Sequence, residues 1–196
     1  MIGGSRRPAA RTSAARDMLD AAEVFAPGAR AAIRARIPAQ SLEALDTASS
    51  ISWLEVEHDH WLMDATLAHF GRTRAVACWR QAIATLIERP LLKSFAEPAL
   101  RLFGRQPGRI LQFVPRGWGL AYRDFCAPSF ELTGPGRAVI RFEQVAPEAF
   151  ASVGYLHCWH AICQGVFDLE CPRNGRLDFE PDEARARAQA TFRWDE

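Results

Sequence analysis

The sequence predicts an α+β domain: an N-terminal helical half followed by an antiparallel sheet of ββ-α-ββ order, with helices packed on it. Three observations predict it. Between residues 27 and 103 the apolar positions recur at spacings of three and four. Beyond residue 115 they turn to alternation, with aromatic and β-branched enrichment. The late strands fall as hairpin neighbours around one helix, which suits an antiparallel sheet with one covered face.

Residues 1–16 hold Arg6, Arg7, Arg11 and Arg16, no acid and no apolar face. They read as a disordered basic tail, dispensable for folding. Residues 17–196 then form one domain, with a helical part over 17–115 and a sheet part over 116–196. Pro27 and Pro38 stand where first-turn prolines are tolerated, opening helices over 27–37 and 38–48. A longer helix covers about 54–70 and stops at Gly71. One of its faces carries Val56, His60, Met63, Leu67 and Phe70, and a second carries Leu54, His58, Trp61, Ala65 and Ala68. A helix apolar on two sides belongs in the middle of a domain.

Helices over 73–88 and 91–103 follow, separated by Pro90 and closed by Gly104, and a short one covers 107–114. Strands are expected over 118–126 and 137–145. A hairpin begins near 129 and turns at Thr133-Gly134-Pro135-Gly136. The next helix opens at Pro147 and runs to about 164. Strands near 165–171 and 186–194 finish the chain. In the last one Ala188, Ala190, Phe192 and Trp194 alternate toward one face.

Composition excludes several classes. Lys+Arg number 24 against 23 Asp+Glu, for a net charge of +1, which gives no support for nucleic-acid binding. No run of 18 apolar residues occurs, so no membrane-spanning helix is expected. Lys93 is the single lysine, and Ile87 and Leu92 stand where the motif needs glycines ahead of it, which removes a phosphate-binding loop. Arg6-Arg7 lacks the apolar stretch of an export signal. Cys78, Cys126, Cys158, Cys163 and Cys171 are odd in number and form no C-x-x-C. With no N-x-[ST] site, they point to buried thiols in the cytoplasm. The hydrolase, metalloprotease and dinucleotide motifs G-x-S-x-G, H-E-x-x-H and G-x-G-x-x-G are absent.

The densest cluster of ligand-type side chains is Tyr155-Leu156-His157-Cys158-Trp159-His160-Ala161-Ile162-Cys163. On a helical wheel Ala149, Val153, Leu156, His160, Cys163 and Phe167 share a face, so His160 and Cys163 are expected to point inward together. His157 lies off that face, and this helix alone cannot bring three ligands to one metal. His58 and His60, two residues apart, point in opposing directions and do not chelate together. Glu55, Glu57, Asp59 and Asp64 read as a solvated acidic face. The six tryptophans read as core. Arg101, Arg105, Arg109, Arg116 and Arg123 read as a solvated basic rim.

Trp118-Gly119-Leu120-Ala121-Tyr122-Arg123-Asp124, the hairpin Gly134-Pro135-Gly136-Arg137-Ala138, the Pro147 helix and the closing Ala190-Thr191-Phe192-Arg193-Trp194 resemble a myxobacterial family of proteins of about this length. That family resembles a wider superfamily, which contains haem nitric-oxide-binding domains, vinyl-4-reductase-type small-ligand domains and transport-particle (TRAPP) subunits. The resemblance implies an α+β fold with an apolar cleft between helices and sheet, or a flat face for partner proteins. It does not carry the haem branch's Y-x-S-x-R motif. Tyr122-Arg123-Asp124 departs from that motif at both the serine and the arginine. Cys158 and Cys163 lie where the reductase branch clusters cysteines, without its spacing.

Together these readings describe a non-enzymatic regulatory or signalling domain that binds a small apolar ligand or a partner protein, a second copy included. Its candidate ligand-binding residues are Tyr122, Leu156, His160 and Cys163. No catalytic residue, metal ligand or cofactor is assigned. The rival reading is a metal- or haem-dependent sensor or enzyme built on the 155–163 helix.

Overall fold

The computed structural model describes residues 7–87, 108–169 and 172–195. The helix expected over 91–103, Lys93, Arg101, Arg105 and Cys171 lie outside them.

The chain opens with a short strand, β1 (Ala9–Arg11), which runs directly into α1 (Thr12–Phe25). Two short helices follow, α2 (Ala29–Arg34) and α3 (Ala39–Thr47). Then come β2 (Trp53–Glu55), α4 (Val56–Phe70) and α5 (Arg72–Ile87). After residue 107 the order is α6 (Val114–Ala121), β3 (Tyr122–Arg123), β4 (Ala127–Gly134), β5 (Arg137–Glu143), α7 (Val153–Asp168), β6 (Arg173–Asp182) and β7 (Arg187–Asp195). The fold class read from the sequence holds. A helical half precedes an antiparallel sheet of order β4-β5-β7-β6, with α7 in the ββ-α-ββ position. No helix among the described residues is long and apolar enough to cross a membrane.

Register in the main sheet follows the alternation of the last strand. Ala138 faces Phe192 and Ile140 faces Ala190 across β5 and β7, and all four side chains are buried. Phe192 meets Phe167 of α7 edge-on at 5.1 Å, which fixes the helix on the sheet. Trp194 stays half-buried at the strand's end, 6.0 Å from Phe167.

Three expectations need correction. Residues 7–16 are not a tail. β1 is the middle strand of a second sheet, β2-β1-β3, in which Ala10 pairs with both Leu54 and Tyr122. Ala9, Ala10, Thr12 and Ala15 are buried. The apolar surface here is alanine, which fits between two strands but leaves no hydrophobic stripe to read. The arginines serve backbone carbonyls: Arg11 donates to Leu120 O and Ile51 O, and Arg16 to Leu45 O, Asp46 O and Ala48 O.

The strand expected over 118–126 begins as helix, up to Ala121. Pro115 sits in the first turn of α6, and helical winding buries Trp118, while only Tyr122–Arg123 are extended. The strand expected near 165–171 is also displaced. α7 continues to Asp168, and its last turn keeps Phe167 in the core, so β6 begins at Arg173.

α7 lies deepest of the helices, packed against α4, α5 and the sheet. Small residues allow it to approach. The Cα of Gly165 rests on Ile83 of α5, and that of Gly154 rests on the α4 backbone, where a Cβ would stand 2.6 Å from the Met63 carbonyl carbon. Gly154→Ala is therefore expected to destabilise the protein by about 1–3 kcal/mol through overpacking. Denaturant unfolding of the variant checks this, and an unchanged midpoint would show that α4 and α7 separate freely.

Candidate functional site

Between the helices and the sheet lies a continuous cluster of rings. Trp159 of α7 is its hub, 5.6 Å from Trp118, 5.3 Å from Phe125, 4.9 Å from Phe142 and 5.4 Å from Phe179. Tyr122 stacks on Trp118 at 4.6 Å, and Phe125 bridges Tyr122 to Tyr155. Trp118, Phe125, Phe142, Tyr155 and Trp159 are all buried. Each comes from a different local cause. Trp118 is turned in by α6, Phe142 by the buried face of β5, and Tyr155 and Trp159 by one stripe of α7.

Among the described residues three polar atoms inside this cluster make no hydrogen bond of normal geometry: Trp118 Nε1, which lies toward the Cys126 thiol, Trp159 Nε1 and the Tyr155 hydroxyl. Beside them stands Asp59, 3% exposed, in the first turn of α4. Burial raises its carboxyl pKa to about 7, and the neighbouring Tyr155 hydroxyl draws it partly back. Burial likewise holds the Tyr122 and Tyr155 hydroxyls well above the usual tyrosine range, and the nearby Asp59 adds to the effect. The Tyr155 hydroxyl comes near the Asp59 carboxyl without a hydrogen bond of normal geometry. Tyr122 exposes part of its ring but turns its hydroxyl inward to the same place.

The start of α7 is pinned one turn further along α4. Ser152 caps the helix by accepting from Tyr155 N at 2.9 Å, and Asp64 Oδ1 accepts from Gly154 N at 2.8 Å. Both bonds satisfy N–H groups that a helix start leaves open.

The four candidate residues do not converge. Tyr122 joins the ring cluster. Cys163 is buried, and desolvation drives its thiol well up, which makes it an inert packing group. Leu156 is half-buried. His160 is half-buried at the rim, its ring parallel to that of Phe179 at 5.8 Å. Desolvation lowers the His160 pKa, and His157, Arg72 and Arg80 lower it further. The expected stripe is rotated. Val153 is 62% exposed, whereas Gly154, Tyr155, Cys158, Trp159 and Ala161 face inward. α7 buries more than half its circumference, because α4 and α5 cover one flank and the sheet the other, so a single-stripe reading misplaces its centre.

Asp59 corrects the solvated acidic face, and so does Asp64, which is engaged with Gly154. A signal for Asp59 exists in the sequence. Val56, Asp59, Leu62, Met63, Thr66 and Phe70 recur at helical spacing and are the buried face of α4, with one acid in an otherwise non-ionisable stripe. The three ligand-type groups needed for a metal occur nowhere among the described residues.

No family model matches the chain, and no curated protein matches it, so the myxobacterial resemblance finds no support there. Solved structures do match. An Fe(II) unliganded H-NOX protein from K. algicida is 11% identical, covers 95% of this chain and 97% of its own, and superposes with a TM-score of 0.64. A mutant H-NOX of T. Tengcongensis is 9% identical over 95% of this chain and 98% of its own, with a TM-score of 0.56. A structure probing heme distortion in the H-NOX family is 8% identical over 95% of both chains, also with a TM-score of 0.56. At such identity the likeness is one of fold, and the chain has the α+β fold of the H-NOX structures.

Proposed function

We propose that this chain is a non-enzymatic regulatory domain that uses an H-NOX-like fold without haem and acts through a partner protein. The solved neighbours include an Fe(II) protein and a heme protein, so the first question is whether the residues here suit that group. They do not. A haem needs an apolar slot and an axial ligand, most often histidine. All five histidines of the chain lie among the described residues, and only His160 reaches the ring cluster, at its Phe179 edge. His58 Nδ1 is bonded to Ser41 Oγ, His60 lies against its chain neighbour Trp61 with its Nδ1 buried and unpaired among the described residues, His69 lies against Phe70, His157 is half-buried on the rim side of α7, and His160 lies over Phe179. Pockets of about 170 and 240 Å³ lie elsewhere, lined by α1 with α5 and by α1 with Arg30, Arg34 and Asp46. Both are smaller than the roughly 300–1,000 Å³ usual for a ligand site.

The single observation that carries the reading is Trp159. It fills the middle of the helix–sheet interface and touches four other aromatic rings. With the helix–sheet interface so filled among the described residues, a partner protein suits the domain better than an interior ligand.

Native mass spectrometry after incubation with hemin, together with an absorption spectrum, tests this. The expected result is the mass of the chain alone or its oligomer, with no stoichiometric Soret band. One haem per chain, or one co-purifying apolar molecule, would overturn the reading.

A further inference from the structure

The buried acid has no part in the function proposed above, yet it stands where three elements meet. We propose that Asp59 is a proton-binding site that latches α7 to α4. Protonated, it is a neutral group that the Tyr155 and Tyr122 rings close over. Ionised, it parts the first turn of α7 from α4.

Among the described residues the charge has no counterion. From α7 Asp59 meets Tyr155 and Cys158, and from β3 it meets Tyr122. Cations on the neighbouring described elements are directed elsewhere. Arg123, beside Tyr122 on β3, lies over Trp53 and reaches Asp124 at 3.5 Å, and Arg16 of α1 serves the carbonyls of Leu45 and Ala48. Arg7, ahead of β1, pairs with Glu55, and Glu57 and Glu148 are its other nearby acids. Arg11 serves carbonyls and lies over Trp53. Arg30 pairs with Asp20, and Arg34 with Asp46. On α5, Arg72 acts on His157, Arg74 lies over Phe70, and Arg80 pairs with Asp168. The remaining α5 group near the cluster, the Cys78 thiol, is pushed up to about 11 and stays neutral.

When Asp59 loses its proton to bulk water, the new carboxylate therefore has, among the described residues, only the Tyr155 hydroxyl, and behind it Tyr122, to solvate it. An uncompensated buried charge draws in water or moves toward it. The movable partner is the start of α7, held to α4 by Gly154 N to Asp64 and by close backbone contact. Displacement there carries Trp159, four residues on, across Trp118, Phe142 and Phe179. The ring cluster would report the protonation state to the sheet.

The linkage has a definite sign. An exposed carboxyl titrates near about 4, and Asp59 in the folded chain near about 7. Its stabilising contribution is fully present below the first value and is lost as pH rises through the second.

The test follows near-ultraviolet circular dichroism and tryptophan fluorescence of the full chain from about pH 5 to pH 9, for wild type, Asp59→Asn and Tyr155→Phe. The infrared carbonyl stretch of a protonated carboxylic acid is recorded alongside. Wild type is expected to show a one-proton transition near neutral pH, with the acid band disappearing at the same midpoint. Asp59→Asn loses both. Tyr155→Phe moves the midpoint upward, because the hydroxyl that favours the carboxylate is gone. The five histidines titrate in the same interval, and the asparagine variant separates their signal. A wild type with no acid band above pH 6, a transition that survives in Asp59→Asn, or an unmoved midpoint in Tyr155→Phe would each overturn the latch. Haem binding bears on none of these readouts, so the latch and the partner-protein reading fail separately.

Discussion

Deleting residues 1–16 abolishes cooperative folding. The deletion takes away β1, and with it the strand to which both β2 and β3 are hydrogen-bonded. Five hydrogen bonds from Arg11 and Arg16 to carbonyls of Leu120, Ile51, Leu45, Asp46 and Ala48 go as well. So does the Thr12 hydroxyl at Ser52. At about 0.5–1.5 kcal/mol for each hydrogen bond, these losses alone approach the roughly 5–15 kcal/mol that holds a whole domain folded. The buried faces of Ala9, Ala10 and Ala15 add to them. Thermal and urea unfolding of the truncated chain measure the effect. A sharp transition within a few degrees of wild type would show that β1 is decoration, and it would restore the tail reading.

Trp159→Ala is the point substitution with the largest expected effect, a loss of about 3–5 kcal/mol. The side chain is 1% exposed, and its ring touches rings from α6, from the segment between β3 and β4, from β5 and from β6. Its removal leaves a cavity that four elements would have to collapse into, and each is tied to its own neighbours. Trp159→Phe should cost far less. It keeps most of the apolar contact and deletes an indole N–H that has no partner. Denaturant unfolding of both variants decides. A loss under about 1 kcal/mol for the alanine variant would show that the ring cluster does not carry the interface.

The alternation of Ala188, Ala190, Phe192 and Trp194 and the turn around Gly134 and Gly136 were enough to place β4, β5 and β7. Three- and four-residue spacing was enough for α4 and α5. In these segments local pattern and tertiary environment demand the same thing, one apolar face per element. The misreadings share a different cause. In α6 the aromatic-rich run 118–125 has strand-like composition, and only the demand that Trp118 reach Trp159 makes its first part helical. In β1 the buried side chains are alanines, and the strand exists because two partners distant in sequence flank it. In α7 the stripe lies elsewhere because neighbours cover two flanks.

The same division runs through the candidate site. Tyr122 and the tryptophans were visible as residue types, and the absence of the Y-x-S-x-R pattern was visible as spacing. The state of Asp59 was not. An acid among Glu55, Glu57 and Asp64 looks solvated on a sequence, and its ionisation depends on what lies over it. Sequence by itself determined the class of fold, the ββ-α-ββ order of its elements and the lack of hydrolase, metalloprotease and dinucleotide motifs, because these rest on periodicity and residue identity along the chain. Only the tertiary structure decided that β1 belongs to the fold, that rings fill the helix–sheet interface and that Asp59 stands buried with no counterion among the described residues. Burial and counterions come from residues far apart in sequence, and no local pattern records them.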